Sequence, residues 1–374
     1  MKIMHVFFMP FLCFLLGCGS DSPPDTNSPE LPSTPTIEIL PATLLSSAEG
    51  GTQNLVVKAD ASWTVTSSEA WCSFSPASGY MGETSLKIGT TVNHSAEQRV
   101  AKLSFVSGTY TQEYTVRQEP GVEKNYIPDG YSMVWNDEFN DSRLTNGKPA
   151  LPSASDWWYE TGNGGWGNNE LENYIAGFKG VDTCAVVTDG TLKIIAKKVG
   201  SEVLSIRMNT SQSWTYGYFE ARLKLPQGKG TWPAFWMMPK NFSAWPDDGE
   251  IDIMEEVGYR PNYVASSIHC LAYYHKIGTQ KTAEKYVATA ESDFHVYALE
   301  WTADYIKGYV DGDNYFTFLN DGTGNKDTWP FNAPFYLKLN LAWGGDWGGS
   351  QGVDETKLPA TYEIDYVRVY QKNK

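Results

Sequence analysis

Short apolar runs alternate with turn-forming residues along most of the chain, and no long segment repeats its apolar residues at helical spacing. Residues 36–120 contain β-prone runs at 55–59, 86–88 and 101–106, separated by Gly, Ser, Pro and Asn. Residues 121–374 continue this pattern, with strands predicted near 305–310 and 336–342. We therefore predict an all-β protein. A small immunoglobulin-like β-sandwich over 36–120 is followed by a domain of two stacked sheets over 121–374.

The first 35 residues follow a different pattern. Lys2 precedes an apolar run over residues 3–16, which is too short to span a bilayer and is typical of a signal peptide. The run ends in Leu15-Leu16-Gly17-Cys18, which resembles a bacterial lipobox; the alternative is an ordinary signal peptide. Residues 18–35 are rich in Pro, Ser, Asp and Thr and predict an extended tether. We expect removal of residues 1–17, lipidation of Cys18, and an exported protein anchored to the outer membrane at the cell surface.

Composition narrows the classes of partner. The net charge of -15 and the pI of about 4.8 argue against a nucleic-acid partner and suit a protein, expected to be a monomer, that acts on a neutral polymer. Twelve of the fourteen Trp lie after residue 121, where core packing explains some and sugar stacking would explain others. Three cysteines remain besides Cys18, without metal-ligand spacing, and a Cys184–Cys270 disulfide stays open.

The segment over residues 249–255 carries the most specific chemistry. It places Glu250, Asp252 and Glu255 in a run otherwise made of Gly, Ile and Met. Burial of unpaired carboxylates is unfavourable, which predicts a strand with one face in a cleft. On a regular strand Glu250 and Asp252 share a face, and Glu255 joins them only across a β-bulge. Without the bulge Glu256 would take that place, and a plain acidic strand end or a cation site is a further alternative.

Gly-Glu-Ile-Asp-Ile-Met-Glu resembles the signature of glycoside hydrolase family 16 in its bulged, laminarinase-like form. The resemblance extends over roughly residues 125–372 and includes the segments at 166–171, 214–222, 230–237 and 364–370. It implies a β-jelly roll of the concanavalin A type with a concave cleft. It also implies that Glu250 is the nucleophile, Asp252 a supporting carboxylate and Glu255 the acid/base.

The same resemblance implies a set of cleft residues that bind sugar. Its members are polar or aromatic side chains: Asn168, Glu170, Arg207, Trp232, Trp236, Trp245, His269 and Asn340. Each also has a structural interpretation, as a core aromatic, a surface ion pair or a structural histidine. Trp343 departs from the family pattern, in which an aliphatic residue is more common.

Two further expectations rest on resemblance. Glu138 and Asp365 match positions that hold a structural Ca²⁺ in many relatives, with ordinary surface acids as the alternative; no cofactor is expected for catalysis. Residues 36–120 resemble the BACON domain through the segments at 63–65, 71–72, 75–79 and 99–101. We favour a spacer with Trp63 and Trp71 in its core over a carbohydrate-binding module.

Together these features predict a lipid-anchored, retaining endo-β-1,3-glucanase that acts on laminarin, with mixed-linkage β-1,3/1,4-glucan as a further substrate. One alternative is cleavage of a galactan of the agar or carrageenan type. The other is a surface glycan-binding protein without catalysis. The intact set of Glu250, Asp252 and Glu255 argues against the second alternative.

Replacement of Cys18 tests the anchor. The Cys18→Ala variant should move from the membrane fraction to the soluble fraction, because the lipid supplies the attachment and the tether separates it from the fold. Activity of the purified soluble form should not change. Sedimentation of the variant with membranes would place the anchor elsewhere.

Overall fold

A computed structural model describes residues 35–373, apart from Ala70, His94, Ala96, Glu123 and residues 141–149. The predicted signal peptide, Cys18 and most of the tether lie outside the described residues. Within this part of the chain, no helix is long and apolar enough to cross a membrane. The chain divides into two compact units, the first mainly before Arg117 and the second mainly after Gln118. The domain boundaries given above stay predictions.

The N-terminal unit is built from two small sheets of mainly antiparallel strands. One sheet has the order β1-β3-β7-β5 and the other β2-β9-β8-β4-β6. Buried and exposed residues alternate along these strands, as expected where one face of each sheet covers a core. The strands are β1 (Ile37–Leu40), β2 (Leu44–Ser46), β3 (Gly51–Ala59), β4 (Trp63–Ser67), β5 (Cys72–Ser75), β6 (Ser78–Gly79), β7 (Gly82–Thr90), β8 (Arg99–Ser107) and β9 (Tyr110–Gln118).

Trp63 lies at the centre of this unit. Its side chain is buried and packs against Phe105, with 5.5 Å between the ring centroids. Trp71 is only partly buried and packs against the same core. The expectation that both tryptophans contribute to the core is consistent with these positions.

The second unit stacks a ten-stranded sheet on a seven-stranded sheet. The first has the path β12-β17-β16-β28-β19-β24-β25-β26, to which β10 and β15 add by pairing with β28 and β16. The second has the order β11-β18-β27-β20-β21-β22-β23. One apolar core of Trp, Phe, Leu, Ile and Val fills the space between them. This is the predicted β-jelly roll, and the described chain contains only two short 3-10 helices.

The elements of the second unit have the following bounds: β10 (Tyr131–Asp137), β11 (Trp157–Glu160), β12 (Glu172–Tyr174), β13 (Phe178–Lys179), β14 (Asp182–Thr183), β15 (Ala185–Thr188), β16 (Thr191–Val199), β17 (Glu202–Ser205), β18 (Arg207–Thr210), β19 (Gly217–Lys224), β20 (Thr231–Pro239), β21 (Glu250–Glu256), β22 (Tyr263–His269), β23 (Lys281–Tyr286), β24 (His295–Trp301), β25 (Tyr305–Val310), β26 (Asp313–Leu319), β27 (Phe335–Trp343) and β28 (Ala360–Lys372), with the 3-10 helices at His275–Ile277 and Glu355–Lys357.

A β-bulge interrupts β21 at the point where the sequence left two registers open. Phe235 of β20 stands opposite Met254, but the next residue, Trp236, stands opposite Asp252. Ile253 is therefore the extra residue, and the pairing with β22 shifts at the same place. Because one inserted residue reverses the alternation of the following side chains, Glu255 returns to the face of Glu250. The bulged register is confirmed and the unbulged one is wrong.

The cysteines do not form the disulfide that the sequence left open. Cys184 and Cys270 are both buried free thiols. Burial raises the pKa of Cys184 to about 12 and that of Cys270 to about 11. Both behave as small apolar core residues.

Removal of the Trp63 side chain tests the core of the N-terminal unit. Trp63→Ala should destabilise this unit by about 3–5 kcal/mol, because truncation of a buried Trp leaves a cavity. Chemical denaturation followed by near-ultraviolet circular dichroism measures the loss. Trp71→Ala is the control, and its smaller buried area should give a smaller loss. Equal losses would contradict this packing.

Candidate active site

A cleft of about 280 Å³ opens on the seven-stranded sheet. Neighbouring strands supply its floor in rows: Asn340 of β27 stands opposite Ala234 of β20, which stands opposite Glu255 of β21. The lining consists of aromatic, acidic and amide side chains with a few small residues: Trp166, Gly167, Asn168, Glu170, Arg207, Trp232, Ala234, Trp236, Met238, Trp245, Glu250, Asp252, Glu255, His275, Lys276, Asn340 and Ala342.

Each of the two outer carboxylates accepts a hydrogen bond from an indole. Trp245 Nε1 donates to Glu250 Oε2 at 3.1 Å, and Trp232 Nε1 donates to Glu255 Oε1 at 3.0 Å. Trp245 belongs to the turn before β21, whereas Trp232 lies on β20. The two indoles orient Glu250 and Glu255 while leaving the second oxygen of each free of these bonds.

The backbone just before Glu250 also constrains the site. Gly249 has a φ of +89°, a conformation that L side chains rarely adopt. A Cβ at this position would come within 2.9 Å of Pro330 and Phe331. Glycine therefore lets the chain turn sharply into β21 and bring Glu250 to the cleft.

Asp252 lies between the two outer carboxylates and is almost fully buried. His269 Nε2 approaches Asp252 Oδ2 at 3.4 Å, and this oxygen has no well-oriented hydrogen-bond donor. Ligand atoms of Glu250, Asp252 and His269 lie within 4.8 Å of one another. Asp252 is thus placed to share a proton with a neighbouring carboxylate, and its charge acts on both of them.

Burial raises the pKa of all three carboxyl groups. The pKa of Glu250 rises to about 7, through burial and the nearby Asp252, against an opposing effect of His269 and Arg207. Burial raises the pKa of Asp252. Burial and Asp252 hold the pKa of Glu255 well above its ordinary value. All three groups therefore hold their protons more tightly than exposed carboxyl groups do.

Arg207 organises the cleft wall beside this centre. Its guanidinium lies over the rings of Trp166 and Trp236, at 4.8 and 4.9 Å from their centroids. Arg207 Nε donates to Glu160 Oε2 at 2.6 Å. The Arg207 side chain is thus held between two aromatic faces by a cation–π contact on each side and by its ion pair with Glu160.

Lys338 joins Arg207 and Glu160 in one charged group. It is almost fully buried, and its Nζ donates to Glu160 Oε2 at 2.7 Å and to Asn209 Oδ1 at 2.5 Å. Burial and the nearby Arg207 lower the pKa of Lys338 to about 7. Glu160 therefore accepts from both basic side chains, which lowers its own pKa despite its burial.

The structure brings most of the predicted sugar-binding residues together. The predicted residues that line the cleft are Asn168, Glu170, Arg207, Trp232, Trp236, Trp245 and Asn340. His269 is the exception: it is not among the lining side chains, but it is 7% exposed, stands opposite Glu250 on β22 and packs against Trp245 at the cleft. Its contact with sugar stays a prediction. His275 was not among the predicted sugar-binding residues, and it lines the cleft with Lys276.

Glu138 and Asp365 do not fit the predicted calcium site as they are placed. Both oxygens of Glu138 accept from Arg368, at 2.8 and 2.9 Å. Asp365 Oδ2 accepts from Arg222 at 2.5 Å. A guanidinium beside each carboxylate repels a cation and occupies the oxygens that would bind it. The calcium prediction stays a prediction, without support from these two side chains.

Comparison with known proteins agrees with this geometry. The family model for glycosyl hydrolases family 16 matches residues 176–368. The chain belongs to this family. The model for the viral BACON domain matches residues 36–120, which confirms the resemblance of the N-terminal unit.

Individual relatives are similar over about two thirds of this chain, and the share of each relative that is covered differs. A β-glucanase of Rhodothermus marinus is 44% identical over 254 residues, which is 64% of this chain and 85% of the relative. The crystal structure of the laminarinase from Rhodothermus marinus superposes with a TM-score of 0.60 at 42% identity, covering 65% of this chain and 98% of that one. A glucan endo-1,3-β-glucosidase A1 of Niallia circulans is 35% identical over 273 residues, 65% of this chain but 38% of the relative.

Separate replacement of Glu255 and Glu256, the two adjacent glutamates of β21, tests the bulge. Glu255→Gln should lower hydrolysis of polymer by about 10²–10⁴-fold, since the group placed to donate a proton is lost. Glu256→Gln should have little effect, because Glu256 faces away from the cleft and burial already holds its pKa well above the ordinary value. Initial rates of reducing-sugar release provide the measurement. A severe loss in Glu256→Gln with normal rates in Glu255→Gln would mean that the other register is right.

Proposed function

We propose that this glycoside hydrolase cleaves β-1,3-glucan within the chain, with retention of configuration. The observation that carries the proposal is the bulge at Ile253, which puts Glu250 and Glu255 on one face of β21, each with its own indole donor. Such a pair is what retaining hydrolysis requires, one member ionised and the other protonated.

The reaction proceeds in two displacements. The ionised Glu250 attacks the anomeric carbon and forms a glycosyl ester, while Glu255 gives its proton to the departing glycosidic oxygen. Water then enters, Glu255 takes one of its protons, and the oxygen attacks the anomeric carbon to release Glu250. Asp252 holds a proton near Glu250 and keeps the negative charge in the cleft from accumulating. No cofactor takes part in these steps.

The aromatic walls supply the binding surface for the polymer. Trp236 Nε1 donates to Asn340 Oδ1 at 2.7 Å, which fixes its indole plane on the floor of the cleft. Trp232 packs edge-on against Trp347, with 5.4 Å between centroids. Flat, immobilised rings of this kind pack well against the apolar faces of sugar rings.

The relatives favour glucan over galactan as the substrate. The relatives described above are named for β-glucan or laminarin. A structure called a non-specific endo-β-1,3(4)-glucanase, 44% identical with a TM-score of 0.61, supports mixed-linkage glucan as a second substrate. A keratan-sulfate endo-1,4-β-galactosidase of Sphingobacterium multivorum is more distant, at 32% identity.

The remaining proposals concern the cellular setting. We propose an exported monomer held at the outer membrane through Cys18, with the N-terminal unit as a spacer. The lipobox-like segment and the Pro-rich residues that follow support the anchor. The buried position of Trp63 supports the spacer, because this ring is not available to stack on sugar.

A panel of polysaccharides tests the substrate. Laminarin should give the fastest release of oligosaccharides, barley-type mixed-linkage glucan a slower release, and agarose or carrageenan none. Separation of the early products by size distinguishes cleavage within the chain from cleavage at its end. Release from a galactan but not from laminarin would overturn the glucan assignment.

Replacement of the nucleophile tests the mechanism. Glu250→Ala should abolish most hydrolysis, because the covalent step has no carboxylate to form it. Azide should restore part of the rate and give a glycosyl azide of inverted configuration, since a small anion can enter the space that the side chain leaves. Glu250→Gln is the matched control, which fills that space and should show less rescue. Full activity in Glu250→Ala would remove Glu250 from the mechanism.

A further inference from the structure

A second pair of carboxyl groups lies beside the cleft, away from Glu250 and Glu255. Glu170 lines the cleft and is 7% exposed, whereas Glu172 on β12 is fully buried behind it. Glu170 stands two residues before Glu172, and its negative charge acts on the Glu172 carboxyl group. A buried carboxylate oxygen without a donor is strongly unfavourable, so each oxygen of Glu172 needs either a donor or a proton.

The partners of each group show which one carries the proton. Glu170 accepts from Asn168 Nδ2 at 3.2 Å and from the Tyr174 hydroxyl at 2.9 Å, as an ionised carboxylate does. Glu172 Oε2 accepts from the backbone N–H of Trp343 at 2.6 Å, whereas its Oε1 is buried without a donor. A protonated Oε1 that donates to Glu170 satisfies this orphaned oxygen. Burial and the adjacent Glu170 raise the pKa of Glu172 to about 9.

The pair is connected to the aromatic floor of the cleft. The Tyr174 hydroxyl, which donates to Glu170, accepts from Asn340 Nδ2 at 3.2 Å. Asn340 Oδ1 in turn accepts from the Trp236 indole. The hydrogen bonds therefore run from Glu172 through Glu170, Tyr174 and Asn340 to Trp236.

We propose that Glu172 is a positioning residue, a carboxylic acid that stays protonated at neutral pH and donates to Glu170. This hydrogen bond holds Glu170 as a fixed anionic acceptor for the hydroxyls of a sugar ring bound in the cleft. The role of Glu172 in binding sugar rests on the proposed function, whereas its protonation does not. Glu172 does not contact the reacting carbon, so its influence falls on binding of the polymer.

Few titratable or charged groups interact with the pair directly. Tyr174 on β12 and Arg207 on β18 are the titratable and charged groups that interact with it among the described residues. β17 pairs with β12 through Val203, Leu204 and Ser205, and β27 contributes Asn340 and the Trp343 N–H. Asp346, in the turn after β27, accepts from Asn169 at 2.9 Å.

The isosteric variant Glu172→Gln provides the first measurement. Gln keeps a donor toward Glu170 and an acceptor for Trp343 but cannot ionise. The ratio of the wild-type KM to the variant KM for laminarin should rise by about tenfold as the pH passes 9, because ionised Glu172 repels Glu170 and their hydrogen bond is lost. Titration of Glu250, Asp252, Glu255 and Lys338 affects both proteins alike and cancels in this ratio. The effect of the substitution on kcat should be small throughout.

Thermal unfolding provides a measurement that does not need activity. The pKa of Glu172 is raised in the folded state, so its stabilising effect is complete below the unfolded pKa of about 4.5 and is lost as the pH rises toward 9. The Tm of Glu172→Gln relative to wild type should therefore increase steadily between pH 5 and pH 9. Glu202→Gln, on the neighbouring β17 with an exposed side chain paired to Lys179, is the control and should show no such trend.

The outcomes distinguish the protonation of Glu172 from its role in positioning Glu170. A Tm difference that does not change with pH, together with no protonated-carboxyl band lost from the infrared spectrum on substitution, would show that Glu172 is ionised and would overturn it. A rising Tm difference with parallel KM profiles would overturn the positioning role. A protein that hydrolyses no glucan would refute the proposed function and this role together, and the Tm series would still decide the proton.

Discussion

The second unit depends on one constraint: three carboxyl groups of a single strand must be buried together without all being charged. Removal of several negative charges from water at one place is strongly unfavourable unless donors or protons compensate. The chain meets this constraint with the indole donors of Trp232 and Trp245 and with raised pKa values at Glu250, Asp252 and Glu255. The bulge at Ile253 and the glycine turn at Gly249 bring these groups to one face, where their different hydrogen-bond partners make them chemically unequal.

Buried charges in the cleft wall are compensated in a similar way. Glu160 is compensated by two basic side chains, Arg207 and Lys338, and Arg207 is covered by two indoles. Glu172 is compensated by a proton and a backbone N–H. Arg207, Lys338 and Glu160 compensate one another, so these side chains are held in fixed positions beside the seven-stranded sheet. Sugar therefore meets a surface that needs little rearrangement, which favours binding.

Much of this arrangement could be predicted from sequence because local pattern determines it. Alternation of apolar and polar residues gave the strands, and the spacing of Glu250, Asp252 and Glu255 gave the choice between two registers. The choice itself depends on how β20 and β22 pair with β21, which no local pattern records. Lys338 shares a strand face with Asn340, a usable signal, but a buried lysine is not expected without knowledge of Glu160. His275 reaches the cleft from the loop after β22, where it packs against Trp245 and His269, and no local pattern records these contacts.

The proton balance of the cleft also changes the meaning of the net charge. The formal value of -15 counts every carboxyl group as ionised. Glu172, Asp252, Glu255 and Glu256 all have pKa values raised by burial, so they contribute less negative charge at neutral pH than this count assumes. The exposed surface keeps its acidic character, which favours solubility, while the cleft is closer to neutral. An uncharged polysaccharide has no net charge for the cleft to attract, so binding depends on aromatic faces and on oriented hydrogen bonds such as those to Glu170, and the first displacement needs an ionised Glu250.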